Sequence, residues 1–234
     1  MLEMFATSQF WVDVFKIIVI DLLLSGDNAV VIALACRNLP PAQRKLGIFW
    51  GVFGAVGLRV VLTAFAAGLL GFPYLKLIGG ILLLWIGIKL LLPDDEGDHE
   101  IEAASHLSGA IKTIILADFI MSLDNVIAVA AASRDSIVLL LFGLAVSIPL
   151  IVWSSQVILH FMERYPIIIT LGAGLLGYVA GGMVVTDIAV KEWAQALVPG
   201  ANYFAGAIGA VAVVATGHWL ARRKAAAEKD YPVA

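Results

Sequence analysis

Two eight-residue stretches carry side chains suited to holding a cation. Asp21, Ser25, Asp27 and Asn28 lie in one, and Asp118, Ser122, Asp124 and Asn125 in the other. The offsets are the same: Asp, then Ser four, Asp six and Asn seven positions on, each inside an apolar run. A helix turns about 100° per residue, so Asp21, Ser25 and Asn28 form one polar stripe, and Asp118, Ser122 and Asn125 another. Asp27 and Asp124 fall about 100° off these stripes on a regular helix. They therefore face another neighbour, unless the helix breaks near Ser25 and Gly26 and exposes backbone carbonyls as further oxygen donors. Gly26 eases such a break in the first copy, and Leu123 offers no such help in the second.

The donors are all oxygen: carboxylates, hydroxyls and amide carbonyls. Hard cations such as Ca2+, Mg2+ or Mn2+ suit that set, whereas zinc and copper prefer His or Cys. One Asp at mid-membrane costs about 2.5–3.5 kcal/mol, so four would cost on the order of 10–14 kcal/mol. A bound divalent cation, protonation of some carboxylates, or Arg59 from the middle of an apolar run would offset that. Arg59 is the candidate counter-ion of the empty site, and Asp187 a candidate ligand at an exit or gate. His218 sits where a packed or interfacial histidine is expected. The acidic run from Asp94 to Glu102 has the composition of a solvated loop, with the gathering of cations before entry as its alternative role.

These residues must be positioned by membrane-spanning helices. Hydrophobic residues make up 61% of the 234, charged residues 14%, and mean hydropathy is +0.97. Soluble domains carry about 25% charged residues. The net charge of -3 and the lack of a basic aromatic patch give no sign of a nucleic-acid partner. Cys36, the single cysteine, excludes an intrachain disulfide and a thiolate metal cluster. Glu3 and Asp13 stand before the first apolar run in place of a basic segment, so no cleaved signal peptide is expected. HExxH, GxSxG and P-loop motifs are absent, and four carboxylates beside Asn suit a cation cage better than an aspartyl-protease dyad. The chain is not expected to be an enzyme.

The apolar runs predict an all-α, polytopic membrane protein with seven transmembrane helices: Phe15 to Ala35, Gly47 to Leu70, Leu75 to Leu92, Ala110 to Ala132, Ile137 to His160, Ile167 to Ile188 and Asn202 to Leu220. Arg37, Arg44, Lys45, Lys89, Lys112, Arg164, Arg222, Arg223, Lys224 and Lys229 fall on one side; Lys16, Lys76, Arg134 and Lys191 fall on the other. Basic residues mark the cytoplasm, which puts the N-terminus outside and the C-terminus inside.

The polar motifs open helices one and four. Phe72-Pro73 and Tyr165-Pro166 open helices three and six, each with a glycine six residues after the proline. A three-helix unit is thus repeated, and an odd number of spans inverts the second copy, as in many secondary transporters with a midplane site. The expected layout is a single transporter domain with repeat one over 10–92, an acidic cytoplasmic loop over 93–108, repeat two over 109–189, an additional helix over 201–222 and a tail over 223–234. Gly47, Gly51 and Gly54, with Gly174, Gly177 and Gly181, form small-residue ladders that predict close helix packing.

The doubled D-x3-S-x-D-N motif in a seven-span chain resembles the TerC family, named for tellurium resistance, from helix one through Asp187. The resemblance implies an inverted-repeat fold of the LysE transporter superfamily and manganese export across the bacterial cytoplasmic membrane. It places the family's acidic metal site on Asp21, Asp27, Asn28, Asp118, Asp124 and Asn125, with Mn2+ as the substrate. Individual members are also linked to metal loading of exported enzymes and to tellurite or pH stress. Ligand types alone do not rank Mn2+ above Ca2+. A cation channel, or a non-transporting module held by metal and binding partner membrane proteins, would use the same residues. Besides the divalent cation and the lipid bilayer, a homo-oligomer or partner membrane proteins are the partners to be considered.

Overall fold

The computed structural model describes residues 8–24, 26–65, 72–92, 101–133 and 137–230. Among them every regular element is a helix: α1 Ser8–Leu24, α2 Gly26–Cys36, α3 Pro41–Ala64, α4 Leu75–Lys89, α5 Ile101–Ser133, α6 Ile137–Arg164, α7 Ile167–Thr186, α8 Lys191–Leu197 and α9 Ala201–Asp230. Pro40 and Pro41 start α3, where a missing N–H is harmless. Pro166 does the same for α7.

Five segments among the described residues are long and apolar enough to cross a membrane: Pro41–Thr63, His106–Leu123, Leu141–Arg164, Ile167–Thr186 and Ala201–Ala226. The other two expected spans are shorter here. α1 and α2 flank Ser25, which lies outside the described residues, and α4 has 15 residues. At 1.5 Å per residue α4 covers about 22 Å, against about 30 Å of bilayer hydrocarbon. Large side chains on α3 point outward, with Phe49, Trp50 and Phe53 exposed by 51%, 52% and 59%. Lipid tails solvate such a face where water would not.

Several boundaries differ from the sequence expectation, among them α9, which runs to Asp230 through most of the expected tail over 223–234. α5 begins at Ile101, so the second half of the expected 93–108 loop is helical, built from Glu, Ala and Leu without proline. The connection Val190 to Gly200 contains α8, begun by the N–H groups of Val190 and Lys191 donating to the Asp187 carbonyl at 3.0 and 2.8 Å. α5 also runs unbroken through the second motif, so that copy has no helix break.

The chain divides into two compact units: Met1–Gly71 with Ala103–Phe161, and Phe72–Glu102 with Met162–Ala234. In the first, α3 packs beside α5 through the glycine ladder. A Cβ on Gly47 would meet Leu107, one on Gly51 would meet Ile114 and one on Gly54 would meet Ile115. Residue numbers rise together along this contact, so α3 and α5 run parallel. Ile17 of α1 lies against Gly143 of α6, within an apolar cluster of Phe10, Val14, Ile18 and Phe142.

In the second unit α4, α7 and α9 pack together. Gly80 lies against Ala180 and Val184, and Gly87 near Leu176, so α4 and α7 run antiparallel. Gly177 and Gly181 bring the α7 backbone against Gly209 and Ala205 of α9, also antiparallel. A Cβ at either α7 glycine would collide with main-chain carbonyls, which is why this ladder uses glycine.

Candidate functional site

The first unit holds a buried polar cluster built from three helices. Asp118 and Ser122 stand one turn apart on α5, so they share a face, and the Ser122 hydroxyl donates to Asp118 Oδ2 at 3.2 Å. Arg59 reaches them from α3. Its Nη2 forms an ion pair and hydrogen bond with Asp118 Oδ1, and its Nε donates to Ser122 Oγ at 3.1 Å. Thr63, one turn on, donates its hydroxyl to the Arg59 carbonyl at 2.8 Å. From α2, Asn28 Nδ2 donates to Asp118 Oδ1 at 2.9 Å. Asn28, Arg59, Asp118 and Ser122 are 3%, 3%, 7% and 0% exposed.

The carboxylate settles which way the Asn28 amide points. Turning it over would set carbonyl oxygen against carboxylate oxygen, so Nδ2 faces Asp118 and Oδ1 faces away. That Oδ1 is buried and has no hydrogen-bond partner among the described residues. Leaving such an oxygen unpaired costs about 1–3 kcal/mol. It is available to a cation. Asp27, half-buried in the first turn of α2, accepts the Asn28 backbone N–H at 2.9 Å.

The structure thus brings Asn28 of the first motif to Asp118 of the second, with Ser122 and Arg59 on the same carboxylate and Asp27 beside Asn28. Asp21 lies on α1, and Asp124 and Asn125 lie on α5, but their side chains, like all of Ser25, are outside the described residues. No group of three His, Cys, Asp or Glu converges among the described residues. The donors present, carboxylate, hydroxyl and amide oxygen, fit a hard cation.

Asp187 belongs to the second unit and is engaged by main chain. Its Oδ1 accepts the N–H groups of Tyr74 and Ala189 at 2.9 and 2.8 Å, and its Oδ2 those of Lys76 and Leu77 at 3.0 and 3.2 Å. The carboxylate of α7 therefore caps the start of α4. It also supports Tyr74 in the left-handed region, at φ 68°, where a non-glycine residue is under strain.

Asp13 is a buried carboxylate absent from the sequence-based site. It is 4% exposed, accepts Gln9 Nε2 at 2.9 Å and lies 3.6 Å from Lys16 Nζ. Gln9 and Lys16, four residues before and three after it, were the only sequence signal of that arrangement. His218 Nδ1 lies 2.9 Å from the Val214 carbonyl on its own helix.

A profile described as "Integral membrane protein TerC family" matches residues 6–225. The chain belongs to the TerC family. Among its relatives, a Bacillus subtilis protein named "Uncharacterized membrane protein YjbE" is 47% identical over 76% of this chain and 82% of its own length. The Escherichia coli K12 protein named "UPF0053 inner membrane protein YgdQ" is 27% identical over 67% of this chain and 73% of its own. A shorter match, 28% identical over 38% of this chain and 27% of its own, is to the "Tellurium resistance protein TerC" of Alcaligenes sp.. No solved structure matches. Family membership and the helices agree on a multi-pass integral membrane protein, as in the TerC family at large.

Proposed function

We propose that this TerC-family chain is a secondary transporter that exports Mn2+ from the cytoplasm through a midplane site made by its two D-x3-S-x-D-N motifs. The observation that carries this is the contact of Asn28 with Asp118, ninety residues apart, in a buried cluster with one amide oxygen left free. Asp21, Asp27, Asp118 and Asp124 supply the carboxylates, and Asn28, Asn125, Ser25 and Ser122 the neutral oxygens. Arg59 neutralises Asp118 when no cation is bound. Asp187 fixes the start of α4 within the second unit. Ca2+ is the alternative substrate, since the same oxygens suit it.

Seven spans in two inverted repeats account for the helix directions. α3 and α5 run parallel, as the second and fourth spans of an alternating series would. α4 and α7, third in each repeat, run antiparallel, as inverted copies must. The protein then sits in the bacterial cytoplasmic membrane with the N-terminus outside and the C-terminus in the cytoplasm. Protons taken up by the carboxylates as Mn2+ leaves would couple export to inward proton flow.

A purely structural metal is the less economical reading, because Asp118 is already hydrogen-bonded and neutralised by Asn28, Ser122 and Arg59. The test is intracellular manganese under manganese load in cells carrying wild type, Asp124→Ala or Asp21→Asn. The variants should fold, lose efflux and accumulate manganese. Equal accumulation in all three would remove the proposal, and liposome flux indifferent to an imposed pH gradient would remove the proton coupling.

A further inference from the structure

We infer that Arg59 is a tethered competitor that makes the cation site selective for divalent over monovalent ions. The inference rests on the export reading and adds the residue that sets its selectivity. Arg59 is 3% exposed, and its guanidinium bridges two members of the second motif, Asp118 and Ser122. A guanidinium stays protonated, so one positive charge occupies the Asp118 carboxylate whenever no other cation does. Its fork engages both acceptors together, which a single ammonium would not do in the same geometry. Thr63 holds the carbonyl of the same residue, fixing the turn from which the side chain reaches.

An incoming cation must take Asp118 from a group that is attached to the protein and therefore present at high effective concentration. Na+ or K+ brings the same charge as the guanidinium it would displace, so it gains no Coulomb advantage over it. A divalent ion brings twice the charge to the same carboxylate. It also meets Asn28 Oδ1, a buried oxygen that accepts no hydrogen bond from Arg59 or any other described residue. Once the ion leaves, Arg59 returns to Asp118, and no unpaired carboxylate remains buried.

The test is a calorimetric titration of Mn2+ into the purified full chain in lipid nanodiscs, in choline chloride and in NaCl at equal ionic strength. Wild type should bind Mn2+ with the same Kd in both salts. Arg59→Gln should bind about tenfold more tightly in choline chloride, within the usual range of a coupling between two ligands, and lose most of that gain in NaCl. Arg59→Lys, which keeps the charge but not the fork, should fall between them and serves if Arg59→Gln does not fold. Mn2+ should also raise the melting temperature of Arg59→Gln more than that of wild type. A merely structural arginine would lower the melting temperature without tightening Mn2+. Binding by wild type with no tightening in either variant overturns this inference alone. No Mn2+ binding by wild type overturns the export reading as well.

Discussion

Asn28 of α2 donates its side-chain N–H to Asp118 of α5 at 2.9 Å, joining the two polar motifs of the chain directly. The orientation of the Asn28 amide follows from that contact. It places Oδ1 away from the carboxylate, while Arg59 and Ser122 hold Asp118 from α3 and from its own helix.

Replacing Asn28 separates binding from stability. Asn28→Ala loses a hydrogen bond to a charged group, about 1.5–3 kcal/mol, but also removes a buried unpaired oxygen that costs about 1–3 kcal/mol. The two nearly cancel. The melting temperature should therefore move little while the Mn2+ Kd, measured calorimetrically, weakens about tenfold, or about 1.4 kcal/mol. A large loss of stability with unchanged Mn2+ affinity would place Asn28 in a purely structural role.

Asp187 should make the protein acid-sensitive. Burial pushes its carboxyl up, but the N–H groups of Ala189, Tyr74, Leu77 and Lys76 outweigh that and hold it below the usual carboxylate range. A lowered folded pKa contributes stability above the unfolded value, about 3.9, and that stability is lost as pH falls through the folded value. Unfolding followed against pH should show wild type losing stability more steeply below about pH 4 than Asp187→Asn. At pH 7 the variant should be less stable by about 1–3 kcal/mol, because its amide N–H groups cannot accept from Lys76 and Leu77. Parallel pH curves would contradict this.

The α7 glycines should tolerate no side chain. Gly177→Ala and Gly181→Ala push a methyl into the α9 backbone at Gly209 and Ala205, and each should lower stability by about 1–3 kcal/mol in a thermal melt. Gly57 of α3 is the control. A Cβ there meets nothing within 4 Å, so Gly57→Ala should be neutral or stabilising by up to about 1 kcal/mol. Equal losses at all three positions would mean that helix packing does not distinguish them.

The pairing of Asp118 with Ser122 was legible from helical period alone, and so was the close approach at Gly51 and Gly181. Each depends on residues within one helix or on the absence of a side chain. The cap formed by Asp187 was not legible, because a carboxylate at a helix end looks the same in sequence whether it faces a pathway or a main chain. What decides it is Tyr74, more than a hundred residues away. Arg59 was expected near the aspartates, but periodicity does not say which of them it meets. The choice of Asp118 comes from the parallel packing of α3 on α5 through Gly47, Gly51 and Gly54. The helices at Ile101 and Lys191 were missed because polar, charged segments carry no apolar period to mark them.

An unbroken α5 has no spare carbonyl to lend. Whatever this half of the site offers an ion hangs on rotatable bonds rather than on an unwound main chain. The grip on α5 can be released one side chain at a time while the helix that carries it keeps every rung.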